Sequence, residues 1–302
     1  MIHTDINNIE FEIQQIYSDA IEKKGIHIFV GRLDKINPIV SGNKFFKLYY
    51  FITNALKNNI KTIITKGGYY SNHLIATAYY TKINNLKSVG IIRGEKPKTL
   101  SNTLRECINH GMKLIYISRN DYNNEIIIQS LLRDEFDNFE FIPEGGFHPT
   151  GAEGASLIMK SIHKFKPTHV ITAIGTATTL AGLIQNNSNQ AEIIGIPVLK
   201  GLNDINDRLS YLNNHSISIS PTIFHNYHFG GYAKYDETLI KSMNDFYSLH
   251  KIPTDFVYTG KMFFGLQDLI KTEYFHKGSR IIAIHTGGLQ GNQSLPINTL
   301  VF

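Results

Sequence analysis

In SGNKFFKLYY, residues 41–50, a lysine directly follows Gly-Asn and a second lysine comes three residues later. Lys44 is hemmed in by Gly42, Phe45 and Phe46. Lysines are mostly exposed, and a solvated lysine at a helix start needs no such setting. A lysine that must lose its proton and form an imine does, because apolar burial favours the neutral amine. On this stretch alone both readings stand. A second stretch, IGTATTLAG at residues 174–182, follows an apolar run and opens a helical one. Gly175 lets the backbone come close to a ligand. Amides of Gly175, Thr176, Ala177, Thr178 and Thr179 can point at one anion, the threonine hydroxyls can add donors, and a helix N-terminus adds positive potential. The loop lacks the GK[ST] ending of a nucleotide P-loop and the GxGxxG of a dinucleotide site. It suits a single phosphate; an ordinary polar helix start is the alternative.

The elements that must position these residues alternate in period. IHIFVGRLD, KTIITKGG, KSVGIIRG, MKLIYISR, FEFIPEGG, THVITAIG, AEIIGIPVL and SRIIAIHTGG read as strands. Helical stretches separate most of them, among them NKFFKLYYFITNALKNN, SNHLIATAYYTKIN with Ser71 as its cap, and GAEGASLIMKSIHKF. Strands separated by helices of this length mean βαβ units and mostly parallel sheets, hence an α/β fold. IIGIPVL and RIIAI are apolar throughout, as strands buried on both faces must be. The Gly- and Pro-rich PEGGFHPTGA, residues 143–152, marks a seam. It divides a smaller αβ unit, residues 46–149, from a larger one, residues 1–45 and 150–302. Ligands of open parallel sheets bind beyond the carboxyl ends of the strands. Four loops there, KGGYYSNH, PEGGFHPTGA, IGTATTLAG and HTGGLQG, are all rich in Gly with Ser or Thr.

A lysine so placed and a monophosphate cradle together fit pyridoxal phosphate (PLP), which is held by an imine to lysine and by its phosphate. SGNKFFKL, KGGYYSNHLIATA, EGG, GTATTLAGL, VYTGKM and HTGG, in this order, resemble the 1-aminocyclopropane-1-carboxylate (ACC) deaminase / D-cysteine desulfhydrase family. That family belongs to the tryptophan-synthase-β-like, fold type II group of PLP enzymes. The resemblance runs from about residue 25 to 291. It implies two open, mostly parallel three-layer αβα domains with PLP in the cleft between them. Residue by residue, it implies that Lys44 is the Schiff-base lysine and that Lys47 lies close to the cofactor phosphate. Ser71 matches an active-site serine, and Asn72 the asparagine that hydrogen-bonds the PLP 3′-oxygen. Tyr232, in GGYAK, and Tyr258, in VYTGK, match two active-site tyrosines. Thr286 falls where a residue approaches the pyridine nitrogen, and the 175–179 loop holds the phosphate.

Two positions bear on substrate. ACC deaminases proper tend to carry Glu where this chain has Thr259 and Leu where it has Thr286. Both threonines resemble the desulfhydrase side, which implies β-elimination from D-cysteine or a related D-amino acid to pyruvate, ammonia and sulfide. ACC deamination to 2-oxobutanoate is the enzymatic alternative, and a PLP-binding regulator without catalysis is the alternative of another class. The chain departs from the family at Phe46, where arginine is usual, and at Ala177-Thr178, where glycines are common. Phe46 is expected to remove a charge near the cofactor entrance. His148 is expected to face the cleft, Glu144 to touch ligand or cap a strand end, and Tyr69 and Tyr70 to line the wall.

Composition narrows the remaining classes. The chain has 302 residues, 42% hydrophobic and 18% charged, with a net charge of +5. Lys and Arg are scattered, so no nucleic-acid face is indicated, while a small anionic ligand is compatible. The start, MIHTDINNIEFEIQQIY, lacks the basic and apolar regions of a signal peptide, and no apolar run reaches a membrane span. A single cysteine, Cys107, excludes internal disulfides and multi-Cys metal sites. The histidines form no HxH or HExxH, so no metal is expected. A cytoplasmic enzyme acting on a small amino acid, as a homodimer, is the expectation.

Overall fold

The computed structural model describes residues 9–37, 39–40, 42–188, 190–216 and 219–302. Residues 1–8, the start of MIHTDINNIEFEIQQIY, and Ser41 of SGNKFFKLYY lie outside the described residues. In chain order the elements are β1 (Ile13–Ile16), α1 (Asp19–Lys24), β2 (His27–Arg32), α2 (Asn43–Lys57), β3 (Thr62–Gly67), α3 (Asn72–Ile83), β4 (Lys87–Arg93), α4 (Asn102–Asn109), β5 (Met112–Ile117), α5 (Glu125–Glu135), β6 (Phe139–Ile142), α6 (Pro149–Ile162), β7 (His169–Ile174), α7 (Thr178–Gln185), β8 (Glu192–Pro197), α8 (Ile205–Leu212), β9 (Thr222–Ile223), α9 (Glu237–His250), α10 (Thr259–Lys271) and β10 (Arg280–His285).

The strands sort into two sheets. One has six strands in the order β1-β2-β10-β7-β8-β9, the other four in the order β5-β4-β3-β6. All pairings are parallel except β1 with β2. Parallel strands need crossovers, and helices supply them, so both sheets are covered on their two faces and the fold is α/β with two αβα units. The strands of the smaller sheet all come from residues 62–142, while β10 returns from the chain's end to lie between β2 and β7. The elements with no clear periodic signal in the sequence are β1, α1, α8 and β9. Each is short, and β1 and β9 are edge strands that a neighbouring strand templates.

The helices α2, α6 and α7 share one core. Phe45, Phe46, Leu48 and Phe51 of α2 cluster with Ala152, Ala155 and Ile158 of α6 and Leu180, Ala181 and Leu183 of α7. Glycines make the approach close: a Cβ on Gly154 would lie 2.1 Å from the Phe46 carbonyl oxygen, and one on Gly182 2.6 Å from Ala155. This packing overturns the expectation for Phe46. It is fully buried and packs edge-on against Phe45 and Phe11, with centroids 5.6 and 6.2 Å apart. It faces the helix core rather than a cofactor entrance, because two residues of helix, roughly 200°, carry it to the side of α2 opposite the cavity-lining Lys44. Among the described residues no helix is long and apolar enough to cross a membrane.

Because the backbone of α2 occupies the space above Gly154, Gly154→Ala forces the helices apart. We expect about 1–3 kcal/mol of lost stability, the usual penalty of overpacking, read as a lower urea midpoint with an unchanged slope.

Candidate active site

The start of α2 is docked onto the end of β10. Gly42 adopts φ 74°, and its amide donates to Leu33 O over 2.8 Å while the Asn43 amide donates to Thr286 O over 3.0 Å. A Cβ on Gly42 would lie 1.7 Å from Thr286 O, so only glycine fits. The docking sets Asn43 between the two halves of the site. Its Nδ2 donates to Thr179 Oγ1 over 2.8 Å, and its Oδ1 accepts from Lys44 Nζ over 2.9 Å. One amide thus ties the lysine to the first turn of α7. Burial lowers the Lys44 pKa to about 8, with Asp255 pulling the other way. Lys47, buried one turn on, donates to Gly145 O over 3.3 Å. Burial, then the charge of Lys44, pushes its pKa well down.

Across the cavity, α7 begins without a side-chain cap, after Ala177 in the left-handed region at φ 68°, ψ −3°. A left-handed non-glycine costs roughly 1–2 kcal/mol. It lets successive amides converge with the helix N-terminus on one anion. Thr176 and Thr178 hydroxyls lie 2.8 Å apart beside it. Gly175 is what lets Tyr258 close over this loop, since a Cβ there would lie 3.0 Å from Tyr258 Cε1.

Ser71 caps α3, accepting from the Leu74 amide over 3.3 Å, so its hydroxyl sits in the positive end of the helix. Asn72 Nδ2 donates to Gly288 O over 2.9 Å, and its buried Oδ1 has no partner among the described residues. Gly288 approaches so closely that a Cβ would lie 2.2 Å from that amide nitrogen. Tyr258 and Tyr232 hydroxyls are 3.5 Å apart, with the rings edge-on at 6.0 Å. Burial, then Tyr232, raises the Tyr258 pKa well above its usual value. The backbone before Tyr232 is held by buried Lys261, whose Nζ donates to His228 O and Gly231 O over 2.8 and 2.7 Å.

The structure brings the residues expected in catalytic and cofactor-binding roles to one cavity: Lys44, Lys47, Ser71, Asn72, Gly175, Thr176, Ala177, Thr178, Thr179, Tyr232, Tyr258 and Thr286 all line it, as do Tyr69, Tyr70 and Glu144. Two expectations are corrected. His148 is the cap of α6, its Nδ1 accepting from the Thr150 amide over 3.2 Å, and it does not line the cavity. Thr259 is fully buried, and its hydroxyl donates to Asp255 Oδ1 over 2.7 Å instead of facing a ligand. Sequence reasoning missed three residues. Asn43 was visible only as part of GNK. Asp255 lines the cavity yet is saturated by the amides of Val257, Tyr258 and Thr259, a cap four residues ahead of Thr259 in TDFVYTG. His73 follows Asn72 on the wall. Thr65 gives its one hydroxyl hydrogen to Ile142 O over 2.7 Å, so His73 Nε2 donates to Thr65 Oγ1 over 2.8 Å and the buried Nδ1 keeps an unpartnered lone pair. Among the described residues no three metal-ligating side chains gather.

A desolvated lysine facing an uncapped, nest-forming helix start, between two mostly parallel sheets, defines a PLP enzyme of fold type II. The sequence pattern described as pyridoxal-phosphate dependent enzyme matches residues 14–287, and the chain belongs to that family. Its cofactor is pyridoxal 5′-phosphate. The residues fit it: the nest and Lys47 answer the phosphate, the orphaned Asn72 amide answers a polar ring substituent, and Lys44 supplies the amine. A protein of Thermotoga maritima provisionally named as an ACC deaminase is 30% identical over 89% of this chain and 91% of its own. A D-cysteine desulfhydrase of Salmonella choleraesuis is 27% identical over 87% of each. A crystal structure described as an ACC deaminase homologue superposes with a TM-score of 0.80 at 27% identity, over 95% of this chain and 92% of that one.

Two outcomes follow from the charges. Lys44 reacts as the neutral amine, and that form grows as pH rises through about 8. Reconstitution of the apoprotein with PLP, followed by its visible absorbance, is therefore expected to accelerate across that pH; a flat profile would mean another step limits it. Thr178→Asp places a carboxylate in the nest and is expected to weaken PLP retention at least about tenfold in equilibrium dialysis.

Proposed function

We propose that this enzyme performs β-elimination on D-cysteine or a related D-amino acid, taking up water and releasing pyruvate, ammonia and sulfide. Membership of the PLP family and likeness to a D-cysteine desulfhydrase and an ACC deaminase homologue support a lyase or deaminase of that type. The observation that carries the choice of D-cysteine is Thr286. It lines the cavity at the end of β10 and presents a hydroxyl, and the nearest acids there are engaged elsewhere. Asp255 is saturated by its cap, and Asp34 is bound by Arg32 over 2.7 Å behind His285.

Bound PLP supplies an electron sink for the substrate α-carbon. The protein's groups do the rest. Lys44, with its lowered pKa, anchors the cofactor and, once displaced by the substrate amine, is a base of suitable strength for the α-proton. The Ser71 hydroxyl, at the positive end of α3, binds the substrate carboxylate. Tyr258 stays protonated and can give its hydrogen to the departing sulfur, with Tyr232 beside it as the route of resupply. An arriving phosphate favours the charged form of Lys47, which its apolar setting otherwise suppresses. A sulfur leaving group asks for α-proton removal and expulsion only. Opening a cyclopropane breaks a carbon–carbon bond and asks for a stronger sink than a hydroxyl at the ring nitrogen gives.

On the same reading, residues 1–45 and 150–302 form the larger, cofactor-binding unit and 46–149 the smaller one, and the enzyme is a cytoplasmic homodimer. The allocation of strands to two sheets supports the division. Light scattering on the purified enzyme tests the dimer.

D-cysteine is expected to exceed ACC in kcat/KM on one preparation, measured as 2-oxo acid release. A tenfold advantage for ACC, about 1.4 kcal/mol of transition-state stabilisation, overturns the choice and favours ACC deamination to 2-oxobutanoate. Lys44→Ala is expected to abolish turnover, and Ser71→Ala to slow it by about 10²-fold. Cofactor absorbance with no turnover of any amino acid would instead favour a PLP-binding regulator. Borohydride reduction is expected to fix the cofactor on the peptide containing Lys44; recovery on Lys47 or Lys66 sinks that assignment.

A further inference from the structure

The cavity extends past the residues that the elimination uses. Its volume is about 1040 Å³, at the upper end of the roughly 300–1,000 Å³ typical of small-molecule sites. Part of its wall is the carboxyl edge of the four-stranded sheet. Lys66 of β3 pairs in register with Ile91 of β4. Side chains alternate along a strand, so Arg93, two residues beyond Ile91, shares a face with Lys66. The middle of that face is apolar, carrying Ile64, Val89 and Ile91 against α5, while Thr62, Lys87 and Lys113 lie at its other end. Tyr122 sits against both cations, with its ring centroid 4.8 Å from Lys66 Nζ and 5.8 Å from the Arg93 guanidinium carbon. Lys66 Nζ also donates to Tyr122 O over 3.2 Å, which fixes where the charge lies.

Both cations line the cavity. Among the described residues neither forms a salt bridge. Glu144 faces them, and its charge also reaches Tyr232 and Tyr258. The cations therefore belong to the same chamber as the tyrosines. One carboxylate against two cations leaves the patch net positive, in a place where an apolar sheet face would have sufficed for folding.

We propose that Lys66 and Arg93 form a second anion subsite, which receives an acidic group on the substrate's β-substituent. The preferred substrates are then β-substituted amino acids whose leaving group carries a carboxylate or a comparable anion. The inference rests on the elimination reading above. In the step it describes, the Cα–H and Cβ–S bonds break, sulfur keeps the bonding pair and gains a proton, and water oxygen replaces nitrogen at the α-carbon. S-(carboxymethyl)cysteine and water thus give thioglycolate, pyruvate and ammonium.

The test compares S-(carboxymethyl)cysteine with its neutral isostere S-(carbamoylmethyl)cysteine, each as both enantiomers, on the PLP-loaded enzyme. Affinity is read by titration calorimetry where no product forms, and kcat/KM by 2-oxo acid release where it does. We expect the wild type to favour the carboxylate at least tenfold, and Lys66→Met and Arg93→Met each to bring the ratio to threefold or less. The ratio within one protein cancels losses from poor folding. Equal or better use of the amide by the wild type overturns the subsite, as does a charge preference that survives both substitutions. A preference in binding with no 2-oxo acid from any compound, D-cysteine included, leaves the subsite standing and sinks the elimination reading.

Discussion

The site depends on one contact between backbones. The first turn of α2 lies against the end of β10, where the Asn43 amide meets Thr286 O and no side chain at residue 42 could be accommodated. That contact fixes Lys44 at the floor of the cleft. It also brings Asn43 within reach of both Thr179 and the lysine amine. The same helix runs on into the core shared with α6 and α7, so the position of Lys44 is backed by a packed layer rather than by a loop. Interiors are dense and resist deformation, which makes a helix in such a layer a stiff mount for a reacting amine.

Stiffness at the lysine is matched by polar saturation around it. Asp255 spends its four contacts on the start of α10, and Thr259 closes that cap from within. Behind Thr286, Arg32 holds Asp34 in a paired grip and also donates to Gln14 over 2.6 Å. His285 donates through Nε2 to Pro253 O over 2.7 Å and accepts from the Gly287 amide at Nδ1. Buried charges persist only when paired and hydrogen-bonded. Here the pairing engages Asp34 and Asp255, the second of which lines the cavity. Among the buried polar atoms without a partner in the described residues, Asn72 Oδ1 and His73 Nδ1 belong to residues on its wall.

Phe46 and Thr259 show how a motif can name the right neighbourhood and the wrong role. The resemblance marked both as bearing on substrate preference, Phe46 as a charge removed near the cofactor entrance and Thr259 as a desulfhydrase-like residue. In the fold, Phe46 turns into the helix core and Thr259 into the Asp255 cap. Neither therefore lines the cavity. Thr286 and Lys66, by contrast, reach the cavity themselves.

The sequence by itself determined the alternation of strands and helices, the α/β class, and the glycine-rich loops at the strand ends. It also singled out Lys44 and the 175–179 loop, because these features are local: hydrophobic period, cap residues and a chain that must bend are written within a few residues. Tertiary structure alone decided which side of α2 Phe46 occupies and that Asn43 bridges two segments 136 residues apart. It also decided that His148 ends as a cap and that Lys66 and Arg93 meet over one tyrosine ring. Those outcomes come from strand register and helix packing, which bring together residues distant in the chain, and no local pattern carries that information.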